Sequence, residues 1–144
     1  MPTRGNTAVA DRPPAVADRR AQSLEAALHA ECVKLLFPEL VTRLVQIIGK
    51  KLTAYIASVK DVRTVEKWMT GTEPYRGPDT RLRTAYHAAT LIGTREKPPV
   101  IQRWFMGLNP ELNDRAAATL LREGEIEAVG PAVLRAARSF IAGG

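Results

Sequence analysis

The segment from Leu52 to Gly71, LTAYIASVKDVRTVEKWMTG, constrains the fold more than any other, because two short helical patterns flank a sharp corner within it. The second pattern follows Asp61, a favourable N-cap, and ends before Gly71, where a left-handed C-terminal cap is expected. Apolar residues at helical spacing predict its inner face: Val62, Val65 and Trp68 or Met69. The remaining residues face outward: Arg63, Thr64, Glu66, Lys67 and Thr70. This arrangement predicts a helix-turn-helix.

The outward face of the second helix suits the major groove of duplex DNA. Arg and Lys side chains bind guanine edges and phosphates, and a Thr hydroxyl can bond a base or a phosphate. We therefore expect Arg63, Thr64 and Lys67 to contact DNA. The alternative is an ordinary amphipathic surface helix whose charged face is solvated.

The positive charge of the chain is concentrated over the same region. The net charge is +6, and residues 39–97 hold eleven Lys or Arg against six Asp or Glu. Residues 1–38 hold five against four, and residues 98–144 hold five against five. Phosphate contacts supply most of the sequence-independent affinity for DNA, although any single cation can equally belong to a solvated face. The candidates for phosphate contact are Lys50, Lys51, Lys60, Arg63, Lys67, Arg76, Arg81 and Arg83.

The composition is that of a globular protein of one compact domain, since 45% of the 144 residues are apolar. No apolar run is long enough to span a bilayer, and the N-terminus lacks the apolar core of a signal peptide, so we expect a cytoplasmic protein without membrane contact.

The single cysteine, Cys32, excludes an internal disulfide, and with only His29 and His87 beside it no metal-ligand spacing exists. We expect no metal and no cofactor, and Cys32 is predicted to be buried in helix packing.

The spacing of apolar residues predicts an all-α fold, because no alternating strand pattern occurs. Residues 1–20 carry hardly any large apolar side chain and are predicted to be a flexible tail. Helices are predicted from Ser23 to a break at Pro38, from Glu39 to Ile48 with Gly49 as its stop, from Lys51 to Ser58, from Val62, and from an Asp79 cap to Gly93. Three more follow, from Val100 to Leu108 with a break at Asn109-Pro110, from Arg115 to Glu123, and from about Ile126 with Pro131 marking its first turn.

We therefore divide the chain into a disordered tail over residues 1–20, a helical helix-turn-helix DNA-binding domain over residues 21–97, and a small helical partner-binding module over residues 98–144. The last module carries large apolar anchors of the kind that dominate protein interfaces. These candidates for partner binding are Trp104, Phe105, Phe140 and Ile141. The alternative is that they fill the core of this chain, since a short domain has few other large side chains.

The sequence contains no recognisable catalytic motif. Glu123, Glu125 and Glu127 lie on an exposed, charged segment, no nucleophile stands beside a base, and no glycine-rich phosphate loop is present. We expect that the chain is not an enzyme.

The order of the motifs resembles that of the Xre/ParS/MbcA antitoxins. After the helix-turn-helix come Trp104-Phe105, Asn109-Pro110-Glu111-Leu112, Leu120-Leu121, Gly124 and a final helix, in the order and approximate spacing of that family. The resemblance runs from about Val41 to Gly144 and is most specific over RWFMGLNPELNDRAAATLLREGE. It adds Asn109 to the candidates for partner binding.

The resemblance implies an antitoxin that binds its own promoter through the helix-turn-helix and neutralises a RES-domain toxin, an enzyme that degrades NAD. In such complexes the C-terminal module covers the active-site cleft of the toxin, often with the chain end inserted. We accordingly expect a sequence-specific DNA-binding transcription regulator. A stand-alone regulator without a toxin, or a protein-binding module that uses the C-terminal helices, remain alternatives.

We expect the protein to bind double-stranded DNA as a homodimer. Helix-turn-helix proteins usually recognise two half-sites about one helical turn apart, which a symmetric dimer matches. The candidate dimer surfaces are the apolar stripe from Leu24 to Leu36 and the C-terminal helix.

Overall fold

The structure is a computed structural model, and it describes residues 16–74 and 77–143. Within those residues, eight α-helices account for nearly all of the secondary structure, which confirms the predicted all-α fold class. The helices are α1 (Val16–Lys34), α2 (Phe37–Ile48), α3 (Lys50–Ile56), α4 (Val62–Met69), α5 (Pro78–Gly93), α6 (Pro98–Met106), α7 (Ala117–Glu123) and α8 (Ile126–Gly143). No helix in this described part of the chain combines the length and the apolar character needed to cross a membrane.

Helix α5 lies at the centre of the fold and packs against α1, α2 and α8. Its Leu82, Ala85 and Ala89 are completely buried. Small side chains on a central helix let its neighbours approach closely, because the distance between helix axes depends on the side chains at the contact. Buried residues of α2, α6, α7 and α8 join the same hydrophobic cluster. The boundary predicted between residues 97 and 98 therefore does not separate two cores.

Helix α1 begins earlier than the sequence indicated. It starts at Val16, so the last five residues of the predicted tail, 16–20, are helical. Ala and Arg, which supply three of these five residues, are good helix formers and extend α1 at its start. The rest of the predicted tail, residues 1–15, lies outside the described residues.

Proline changes the start of two other helices, whereas α8 begins at the predicted Ile126 and has its proline further inside. Pro38, predicted to close the preceding helix, lies in the first turn of α2, where its missing N–H is not needed. Helix α5 likewise begins at Pro78 after an N-cap at Gly77, so Asp79 is not the cap. Pro131 lies inside α8, and the hydrogen bond that it removes falls in an exposed turn near the start of that helix.

A short antiparallel pairing connects α6 to α7 and was not predicted. Strands β1 (Leu108–Asn109) and β2 (Arg115–Ala116) have two residues each, with Leu108 opposite Ala116. A 3-10 helix over Pro110–Leu112 lies between them. Leu108 is therefore not part of α6, and α7 begins two residues after the predicted start at Arg115. Such short strands leave no alternating pattern that sequence reasoning could detect.

Candidate nucleic-acid interface and C-terminal groove

The corner between α3 and α4 is closed by a Schellman motif, a pair of backbone hydrogen bonds that ends a helix. The N–H of Val59 donates to the carbonyl of Ala54 and the N–H of Ser58 donates to the carbonyl of Tyr55, both over 3.0 Å. Ser58 adopts a left-handed conformation with φ of 63°, a position usually held by glycine. Helix α3 consequently ends at Ile56, before its predicted end at Ser58.

Helix α4 is fixed as the sequence predicted. The carboxylate of Asp61 accepts a hydrogen bond of 2.9 Å from the N–H of Arg63 and caps the first turn. Val65 and Trp68 are buried, and the Trp68 ring meets Phe37 edge to face at 5.6 Å between centroids. Since the inner face is anchored on α2 and the first turn is capped, the opposite face of α4 is held towards solvent.

The exposed face of α4 is cationic. The side chain of Arg63 is 84% exposed, and Lys67, one turn further on the same face, is also exposed. Lys60 is exposed in the corner just before α4. Two weak ion pairs border this face, Lys50 with Glu66 at 3.7 Å and Arg63 with Asp61 at 3.8 Å. Exposed pairs of this kind contribute little to stability, so a phosphate can compete for the cations.

The other predicted DNA contacts that the structure describes are divided between α4 and other helices. Lys51 borders a surface groove of about 480 Å³ beside Gln102 and Met106, which places it next to α6. Arg81 is half-buried in the first turns of α5 and Thr64 is half-buried on α4. Arg76 lies outside the described residues.

Arg83 has a structural role in place of the predicted phosphate contact. Its guanidinium donates to the carbonyls of Cys32 and Leu35, each over 2.8 Å, and to the Asp79 carboxylate over 2.9 Å. These bonds occupy the side chain and tie the end of α1 to α5. Cys32 is buried, as predicted, and burial raises the pKa of its thiol.

Two of the predicted partner-binding residues belong to the core. Trp104 and Phe105 are buried and lie edge to face at 5.1 Å, and Phe140 approaches Trp104 at 6.5 Å between ring centroids. Trp104 and Phe105 therefore fill the core of this chain, which was the alternative to partner binding. Phe140 and Ile141 are only half-buried.

A groove of about 320 Å³ opens beside these rings and has apolar walls from Trp104, Leu108, Ala136 and Phe140. Leu108 is 76% exposed and lies beside the apolar wall of this groove. Asn109 shapes the rim, because its side chain accepts a 3.0 Å hydrogen bond from the N–H of Glu111 and caps the 3-10 helix. Ile141 faces a different groove, between α1, α5 and α8.

Sequence reasoning missed a contact between the helix-turn-helix and α7. Arg122 donates a 2.7 Å hydrogen bond to the carbonyl of Tyr55, and its guanidinium lies 4.6 Å from the centre of the Tyr55 ring. The Tyr55 hydroxyl is 3.1 Å from the Thr119 hydroxyl. No sequence signal could have found this contact, because the partners lie more than sixty positions apart in the sequence.

A pair of histidines joins α1 to α5 on another side of the core. The rings of His29 and His87 are 5.4 Å apart between centroids. His87 is buried, and its Nε2 has no hydrogen-bond partner among the described residues. Burial and the neighbouring His29 lower the pKa of His87. No group of three metal-ligating side chains occurs in the described part of the chain, so this pair does not form part of a recognisable metal centre.

No protein-family model matches the chain, and no curated protein sequence matches it. A chain in the crystal structure of the M. tuberculosis MbcT–MbcA toxin–antitoxin complex has a similar fold, with a TM-score of 0.57. The two chains are 21% identical, and the superposition covers 73% of this chain and 96% of that chain. The likeness shows that this chain shares its fold with a chain of that complex, while membership of the Xre type stays a prediction.

Proposed function

We propose that this protein is the antitoxin of a toxin–antitoxin pair and that it binds duplex DNA sequence-specifically through α4. The observation that carries the DNA-binding part is the exposed cationic face of α4, held outward by the Asp61 cap and the buried Trp68. Arg63 and Lys67 project from this face. An exposed arginine on such a helix can form two hydrogen bonds to a guanine edge, and both cations can neutralise phosphates.

The toxin-binding part of the proposal is supported by the fold. A chain of a toxin–antitoxin complex shares this fold over nearly all of its own length. In the present protein the groove beside Trp104 is lined by the exposed Leu108 and the half-buried Phe140, which offer an apolar contact to a partner. Following the motif resemblance in the sequence, we propose that the partner is a RES-type toxin.

We also propose that the protein binds DNA as a homodimer. One α4 offers little contact area, and two copies would match two half-sites. Leu24 and Leu36, which belong to the apolar stripe predicted as a dimer surface, are 48% and 73% exposed. The middle of this stripe packs on the core, so only its two ends, Leu24 on α1 and Leu36 just after it, are offered as the surface between copies.

DNA binding is tested by titrating a duplex selected in vitro against the purified protein at several salt concentrations. The logarithm of the affinity should fall linearly with the logarithm of the salt concentration, because each neutralised phosphate releases counterions. Arg63→Ala should cost about 1–3 kcal/mol on the selected duplex and much less on an unrelated duplex. Arg135→Ala, which removes an exposed cation from α8, serves as the control. An affinity that does not respond to salt would exclude this function.

Toxin binding is tested by co-expression with a RES-domain protein encoded beside this chain. Leu108→Glu should weaken co-purification without lowering the melting temperature, because Leu108 is exposed. Val33→Glu is the matched control, since Val33 is 62% exposed on α1 and does not border the groove. Should no RES-type reading frame lie nearby, a stand-alone regulator becomes the better description.

A further inference from the structure

One carbonyl oxygen at the corner of the helix-turn-helix accepts hydrogen bonds from two different helix regions. The oxygen of Tyr55 accepts the N–H of Ser58, which closes the Schellman motif, and the guanidinium of Arg122, which comes from α7. The bond from Arg122 is 2.7 Å long, shorter than the 3.0 Å bond from Ser58. Hydrogen bonds from a charged donor are shorter and stronger than those between neutral groups.

Helix α7 contacts the same residue in two further ways. The guanidinium of Arg122 lies over the Tyr55 ring at 4.6 Å, and Thr119, on the same face of α7, is within 3.1 Å of the Tyr55 hydroxyl. Both ends of Tyr55, its backbone carbonyl and its hydroxyl, are thus held by α7. The left-handed Ser58, which is unfavourable by itself, follows only three positions later.

We propose that Arg122 is a positioning residue for DNA binding. It fixes the corner at Ser58 and thereby the direction in which α4 presents its cationic face, although it does not itself contact DNA. This inference rests on the proposed function of α4. It also makes DNA affinity dependent on α7, which lies in the segment resembling the toxin-binding part of antitoxins.

The alternative role for Arg122 is that of a phosphate contact, since it is a partly exposed cation near the corner. The two roles differ in their salt dependence. Removing a phosphate contact lowers the slope of log affinity against log salt by about 0.9, whereas removing a positioning residue lowers the affinity and leaves the slope unchanged.

The experiment compares the full chain with its Arg122→Ala and Arg122→Lys variants, and Arg135→Ala controls for the lost charge. The first measurement, made without DNA, is amide hydrogen exchange at Ser58 and Val59. We expect Arg122→Ala to speed exchange at these amides about tenfold or more, because the charged hydrogen bond that steadies their helix end is lost. Arg122→Lys should restore part of the protection, and Arg135→Ala should leave exchange at these amides unchanged.

The second measurement is the affinity for the selected duplex over a range of salt concentrations. We expect Arg122→Ala to weaken binding about tenfold with an unchanged salt slope, measured well below the melting temperature, which the loss of the charged hydrogen bond lowers by a few degrees. Unchanged exchange at Ser58 and Val59, or a reduced salt slope, would overturn the proposal. If the wild-type chain binds no duplex, the function of α4 is what fails, and the exchange measurement alone still decides whether Arg122 holds the corner.

Discussion

Helices α3 and α4 end in the same hydrogen-bond pattern but carry different residues at the turning position. At the end of α4 the N–H of Gly71 donates to the carbonyl of Trp68 over 3.2 Å, and the N–H of Thr72 donates to that of Lys67 over 3.1 Å. The end of α3 repeats this pattern with Ser58 in the place of Gly71. Both residues have a positive φ, 119° at Gly71 and 63° at Ser58.

The difference between the two ends lies in what supports them. Glycine adopts a positive φ without steric strain, so the end of α4 needs only its local sequence. A serine at that position is disfavoured by about 1–2 kcal/mol, and the end of α3 receives an additional hydrogen bond from Arg122. A turn with the favoured residue is locally determined, whereas a turn with a disfavoured one depends on a distant part of the fold.

The largest loss of stability is expected from removing Trp68, the residue that anchors α4 itself. Trp68→Ala should lower the free energy of unfolding by about 3–5 kcal/mol, because a large buried ring is lost and its contact with Phe37 disappears. Urea denaturation followed by circular dichroism measures this loss. Lys67→Ala, on the exposed face of the same helix, should change stability by no more than about 0.5 kcal/mol. Similar losses for both variants would contradict an inward-facing Trp68.

A smaller loss of stability is expected from replacing Gly71 at the end of α4. Gly71→Ala should destabilise the protein by about 1–2 kcal/mol, since alanine at a φ of 119° is strained. An added Cβ would meet no atom within 4 Å, so the loss reflects the backbone alone. Gly143→Ala is the control, because that position is equally open but helical. Chemical denaturation compares the two, and equal stability of Gly71→Ala and wild type would refute a positive φ at this end.

Replacing Ser58 at the end of α3 should change the stability in the opposite direction. Ser58→Gly should stabilise the protein by about 0.5–1 kcal/mol, because the strain at a φ of 63° is relieved and exceeds the extra entropy of glycine in the unfolded chain. The same substitution in the helical conformation, Ser139→Gly in α8, should instead destabilise by about 0.5–1 kcal/mol. Thermal melting of the two variants shows whether their signs differ, and a loss of stability in Ser58→Gly would count against the described corner.

The smallest effect is expected from pH, which acts on His87 of α5 and leaves the ends of α3 and α4 untouched. Burial lowers the pKa of His87 below its usual value of 6.5, so the unfolded chain binds a proton before the folded chain does. The free energy of unfolding should therefore fall as the pH is lowered from 7 through 6.5, and recover on return. His29, Glu25 and Arg138 also face this ring. Urea titrations of wild type and His87→Leu check this, and an equal pH response of both proteins would exclude His87 as the source.

Features that depend on neighbouring residues in the sequence could be predicted. The Asp61 cap, the buried Val65 and Trp68, and the positive φ of Gly71 all follow from residue type at helical spacing, and all are found in the structure. The apolar core around Phe105 was also accessible as an alternative, because large rings in a short chain have few other places to go.

Features that depend on distant partners could not be predicted. Arg83 looked like a free cation in the sequence, but the carbonyls that it binds belong to α1, about fifty positions earlier. Leu108 fitted the apolar spacing of α6, yet Gly107 ends that helix and the residue pairs with Ala116 instead. The Arg122 contact has no local sequence signature at all. The exposed cationic face of α4 was therefore predicted better than the surroundings of the other cations, and DNA contact by any of them stays a prediction.

The closely packed α5 has a consequence for how the protein is turned over in a cell. Because α8 covers α5 and no second core exists among the described residues, a protease that cut away the last helix would also unfold the part that carries α4. The lifetime of the groove and the lifetime of α4 are then one and the same. Under the function proposed above, a promoter bound through α4 would be released at the moment the toxin is set free.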